Sequence, residues 1–89
     1  MRQMFRYEVP IDDGAHIFRL RGNPVAVAVA GSGRAVEFWA EHDTTQGECG
    51  QAFRVFGTGH PLPEDAEWIG TCPRDRAGLV WHLYRGVFE

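Results

Sequence analysis

From Pro24 to Ala40 the chain reads PVAVAVA, then GSG, then RAVEFWA. Both arms alternate with a period of two around a glycine-rich reversal. That is the pattern of an antiparallel hairpin, because successive strand side chains point to opposite faces and glycine reaches positive φ without steric cost. In this reading Val25, Val27 and Val29 share one face, and Ala26, Ala28 and Ala30 share the other. The alanines are small enough for another sheet to pack closely over them. The returning arm aligns Val36, Phe38 and Ala40 and turns Glu37, Trp39 and Glu41 the other way.

The same period runs through the rest of the chain. Phe5, Tyr7 and Val9 alternate with Arg6 and Glu8 until Pro10 and Asp12-Asp13-Gly14 stop the strand. His16, Phe18 and Leu20 oppose Ile17 and Arg19, and Gln51, Phe53 and Val55 oppose Ala52, Arg54 and Phe56. EWIGTC is long enough for a short strand. The closing run GLVWHLYRGVF is apolar on both faces, as a central strand would be. No segment holds a helical period, and at most one helical turn fits, near residues 63–68, where Pro-Glu-Asp resembles a helix start. The expected fold is all-β: a compact antiparallel sandwich or small barrel of about seven short strands. With 89 residues, 44% of them hydrophobic, the chain is read as a single domain over 1–89 with a core of modest stability.

Charge narrows the function classes. The net charge is −3, and the nine basic residues, all arginine, are spread along the chain. A protein that binds nucleic acid by neutralising phosphates needs the opposite balance, so no nucleic-acid partner is expected. No apolar run approaches the ~18–20 residues of a membrane helix, and MRQMFRYEVP lacks a signal-peptide core, so the expectation is no membrane and a cytoplasmic home. Cys49 and Cys72 match no zinc or redox spacing and are expected as free thiols there.

The segment FGTGHPLPEDAEWIGT, Phe56 to Thr71, is the strongest candidate location for a site. Thr58, Gly59 and His60 offer a hydroxyl, glycine-loop backbone donors and an imidazole within three residues, and such turns cradle anions. A phosphate loop also needs a following helix and a Lys-Ser/Thr pair, whereas His60-Pro61-Leu62-Pro63 removes donors and forbids an immediate helix. The alternative is a stiff connector with a sharp reversal, a cis bond at His60–Pro61 being open to it. Arg54 would serve as an anion clamp and Trp68 as a stacking aromatic. Trp39, set among Glu37 and Glu41, reads as a contact surface for a protein partner or as a face covered by a second copy of the chain, a homodimer.

Catalytic signals are weak. His16, His42 and His82 have no ligand spacing with either cysteine, so no metal and no cofactor are expected. Ser32 sits in a hairpin tip without a nucleophile elbow, and Asp12-Asp13 and Glu64-Asp65 fall in turns. No catalytic residue is assigned, and the reading leans away from an enzyme.

FRYEVP (Phe5 to Pro10), VEFWAEHD (Val36 to Asp43), FRVFGTGHPLP (Phe53 to Pro63) and GLVWHLY (Gly78 to Tyr84) occur in this order. On these segments the chain resembles a family of small uncharacterised proteins of bacteriophages and actinobacteria. The resemblance spans nearly the whole length and implies a context rather than a chemistry: a phage or prophage accessory protein. The functional expectation is therefore a non-enzymatic protein that binds a host protein, in a host-takeover or anti-defence role. A binder of a nucleotide or other small anionic ligand is the alternative, and a small hydrolase or metal enzyme the third.

Overall fold

The computed structural model describes residues 1–86, and within them the chain forms strands β1 (Arg2–Pro10), β2 (His16–Leu20), β3 (Pro24–Val29), β4 (Ala35–Asp43), β5 (Cys49–Gly57), β6 (Glu67–Thr71) and β7 (Trp81–Arg85). One sheet has the order β1-β4-β3, the other β2-β5-β7-β6, and every paired neighbour is antiparallel. The all-β fold expected from the alternation is observed, and of the sandwich and the small barrel it is the sandwich. Val87 and Phe88 of the last apolar run lie outside the described residues.

The core forms where the two inner faces meet. Val9, Val36, Phe38 and Ala40 from the first sheet and Leu20, Phe53, Val55 and Leu83 from the second are buried, with Tyr7, Phe18 and Val27 packed against them. Phe38 stacks on Tyr7 with ring centroids 5.0 Å apart and meets Phe53 at 4.7 Å and Phe18 at 5.6 Å. Each such ring taken from water contributes about 1.5–3 kcal/mol, so this cluster is the main source of stability.

The hairpin of β3 and β4 departs from its expected packing. A bulge between Pro24 and Ala26 breaks the register, and Val25 there is 62% exposed instead of sharing a face with Val27 and Val29. Ala26 and Ala28 lie opposite Trp39 and Glu37, on the outer face. The second sheet packs instead on the valine face, which buries more apolar area. Its close approach is made from the other side, where Gly70 of β6 lies under Val27.

Residues 58–66 connect β5 to β6 without a hairpin. Both strands run antiparallel to β7, hence parallel to each other, with β7 between them. The connector must carry the chain back along the sheet and across it. The inner face is filled by the other sheet, so the connector straps the outer one. Two turns shape it, closed by His60 N–H to Gly57 O at 3.2 Å and Ala66 N–H to Pro63 O at 3.2 Å. No helical turn forms at 63–68, because a single closing bond leads directly into β6. The His60–Pro61 bond is trans.

Candidate functional site

The outer face of the four-stranded sheet, beneath and beside this strap, gathers the chemistry-bearing side chains. Register places Arg54, Tyr84 and Trp68 in one row across β5, β7 and β6, and Phe56, His82 and Thr71 in the next. Phe56 points outward yet is only 3% exposed. The Arg54 guanidinium lies 4.8 Å above its ring, and Tyr84 meets it edge-on at 5.5 Å. Leu62 of the strap joins Phe56, His82 and Tyr84 around a hollow of about 180 Å³.

A chain of hydrogen bonds runs along the second row. Trp68 Nε1–H donates to Thr71 Oγ1 at 2.9 Å, which lies 2.9 Å from His82 Nδ1; His82 Nε2 lies 2.9 Å from Thr58 Oγ1, which donates to Val80 O at 3.4 Å. Indole is only a donor and a carbonyl only an acceptor, so the neutral chain has one direction. Thr71 O–H donates to Nδ1, and His82 carries its proton on Nε2 and donates to Thr58. Both ring nitrogens are thereby engaged, which fixes the imidazole as a strut between β6 and the strap.

His60 is tied in the same way. Its Nδ1 accepts from Gly57 N–H at 3.3 Å while its own N–H closes the turn. Gly59, with φ of 91°, supplies the left-handed residue that the turn requires. Two groups expected to meet an anion, the Thr58 hydroxyl and His60 Nδ1, are thus turned to partners within the fold. Arg54 differs: its Nε is buried without a hydrogen-bond partner.

Of the residues picked from sequence, Arg54, Thr58, Gly59, His60 and Trp68 come together on this face and its rim. Trp39 does not. It is half-buried on the outer face of the other sheet, between Arg6 and Ala26. Arg6 there binds Glu8 and Glu37, and Arg2 binds Glu41 at 3.0 Å. Such exposed pairs contribute about 0–1 kcal/mol each and leave the face solvated. Trp39 and Arg54 do not share a surface, because each points outward from a different sheet and the two outer faces lie on opposite sides of the sandwich.

Phe56, Thr71, His82 and Tyr84 had no assigned role in the sequence reading. The partners of His82 lie 24 and 11 positions away, and only strand pairing brings them close. Ser32 Oγ accepts from Arg34 N–H at 3.2 Å in an exposed tip. His16 bonds Asp12 at 2.9 Å. Cys72 is buried and its thiol pushed up by that burial, while Cys49 is exposed. Among the described residues no three of His, Cys, Asp and Glu gather as a metal-binding group.

Asp75 organises the loop before β7. Its carboxylate accepts from Leu79 N–H at 2.8 Å, Ala77 N–H at 2.9 Å and Trp81 Nε1–H at 3.1 Å. These bonds, that from Leu79 foremost, hold the carboxyl below the usual aspartate range. A lowered folded-state pKa contributes stability that is complete above the unfolded value near ~3.9 and is lost as pH falls through the folded one. Asp75→Asn is therefore expected to flatten the acid limb of stability against pH below about 4, measured by urea unfolding at stepped pH. An unchanged acid slope would remove Asp75 from that role.

Together these features define a two-sheet antiparallel sandwich with one solvated, ion-paired outer face and one aromatic outer face strapped by a crossover loop. The chain belongs to the family described as Domain of unknown function (DUF7352), whose model matches residues 1–88. Comparison with curated proteins and with solved structures finds no match.

Proposed function

We propose that the chain is a non-enzymatic, phage-type accessory protein that binds a host protein through the outer face of its four-stranded sheet. The observation that carries this is Trp68, 59% exposed yet anchored through its Nε1 to Thr71 and, beyond it, His82. A large aromatic already restrained in the free state loses little freedom on binding, the property of an interface anchor. Ile17 and Leu62, exposed on the same side, extend the apolar surface. Arg54 has no carboxylate bound to it among the described residues, so an acidic side chain of the partner completes its pairing.

The test compares capture from host lysate by the wild-type chain, Trp68→Ala and Trp39→Ala. The expected result is one partner held by wild type and Trp39→Ala and weakened roughly 30-fold or more by Trp68→Ala, the scale of a hot-spot residue. Equal retention by Trp68→Ala, or no partner at all, would sink the reading.

A second reading rests on the Arg54 guanidinium, which lies 4.8 Å over Phe56, itself a wall of the hollow. Here the face sequesters a small anionic ligand such as a nucleotide, with Arg54 as the cation and an aromatic for stacking. A ligand at about 100 times its dissociation constant stabilises the fold by about 2.7 kcal/mol. A thermal-shift screen of nucleotides should give a rise that Arg54→Ala abolishes; a flat screen excludes this class.

A further inference from the structure

We propose that the chain forms a two-fold homodimer by joining β1 of one copy to β1 of another, in the single register that places Phe5 on the axis. This is independent of the binding face on the other sheet.

Four strands lie at sheet edges. β2 and β6 span five residues, β6 with a bulge between Trp68 and Gly70, and β3 spans six with its own bulge. β1 runs nine residues in unbroken register against β4. A long, regular, uncovered edge is a template for another strand.

The hydrogen bonds at its ends show which backbone groups are free. Ile11 N–H donates to Arg34 O, and Thr44 N–H to Met1 O, each at 3.0 Å. Antiparallel bonding alternates along a strand, so odd-numbered residues of β1 turn their backbone groups to β4. Arg2, Met4, Arg6 and Glu8 turn theirs to the open side. Pro10 is the next even position, which puts its missing N–H on that side too.

A second copy must pair even residues with even residues, so that both sheets keep their inner and outer faces. With Met4 on the axis, Arg2 faces Arg6. With Arg6 or Glu8 on the axis, like charges face each other directly. With Tyr7 on the axis, Met4 faces Pro10, which cannot donate. With Val9 on the axis, Glu8 faces Pro10, and with Gln3 on the axis only Arg2 and Met4 are paired. Only Phe5 on the axis pairs all four open positions with one another and avoids every conflict: Arg2 faces Glu8 of the second copy, and Met4 faces Arg6. Each pair then exchanges both of its backbone hydrogen bonds.

Side chains favour the same register. Phe5 has inner-face parity but is 38% exposed, stacked on His42 at 4.6 Å. On the axis it meets its own counterpart at a non-hydrogen-bonded position, where strands approach most closely. The joined sheets become one six-stranded sheet, with Phe5 covered from both sides.

The test uses sedimentation of the full chain over roughly 1–300 µM, the range of a modest interface. Wild type is expected to show a monomer–dimer equilibrium. Met4→Pro, which spares the bonds to β4, should keep the far-UV circular dichroism and raise the dissociation constant on the order of tenfold or more. In a Cys49→Ser background, Phe5→Cys should oxidise to a covalent dimer, because Cα atoms about 4.5 Å apart suit a disulfide. Gln3→Cys should not. A monomer at every concentration, an unchanged constant for Met4→Pro, or equal crosslinking through Gln3→Cys overturns the proposal.

Discussion

Phe38→Ala is expected to lower the thermal midpoint by on the order of 20 °C. Phe38 is fully buried and touches Tyr7, Phe18 and Phe53, so its removal leaves a cavity at the meeting point of both sheets. Phenylalanine-to-alanine changes in cores cost about 3–5 kcal/mol, against a total of roughly 5–10 kcal/mol for a domain of this size. Rings from three other strands surround the site and cannot all close in without breaking their pairing registers. Ile17→Ala, at a position 75% exposed, is the control and should stay within about 0.5 kcal/mol. Calorimetry or a circular-dichroism melt reads both, and equal midpoints would show that the aromatic cluster is not the source of stability.

Gly70→Ala is expected to lose about 1–3 kcal/mol. Adding a methyl group to a strand glycine ordinarily stabilises, because glycine loses more backbone entropy on folding. Here the added Cβ would stand 2.6 Å from Val27 Cγ2 and 3.1 Å from Cγ1. Valine is stiff about χ1 and cannot swing both methyl groups away. The new atom therefore wedges β6 from β3. Val27→Ala alone opens a void, but in the double variant each change relieves the other. Denaturant titration of all four proteins should give a double-variant loss smaller than the sum of the singles. Strict additivity would mean that the sheets do not meet at this point.

The elements of this fold are legible where one face is buried and the other wet. Val36-Glu37-Phe38-Trp39-Ala40 announces its strand and its inner face, because period-two alternation is a direct imprint of burial. Val25 is not legible. A bulge inserts one residue and changes which side chain points inward, and PVAVAVA contains no sign of where it falls. The strand order is also hidden, because pairing β7 between β5 and β6 depends on contacts far apart in sequence. Without it the 58–66 segment reads as a turn, and the burial of Phe56 under its own strap cannot be seen. The site is legible by half: Arg54 and Trp68 carry a signal in their chemistry, whereas His82 acquires its place only when Thr58 and Thr71 arrive from different elements.

The position of β7 has a consequence for how the protein comes into being on the ribosome. β5 and β6 have no direct bond to one another, and the strand that joins them is the seventh to be made. Until residues 81–85 emerge, the nascent chain holds β6 without a neighbour and β5 with only β2. The three-stranded sheet can pair earlier, but its inner face stays uncovered because the opposite layer is incomplete. Folding is thus deferred until β7 has been made and proceeds through long-range contacts, the slow regime for β proteins. Stop codons placed ahead of Trp81 should yield chains that chaperones and proteases remove, whereas the same loss of length in a helical bundle would often leave a folded remnant.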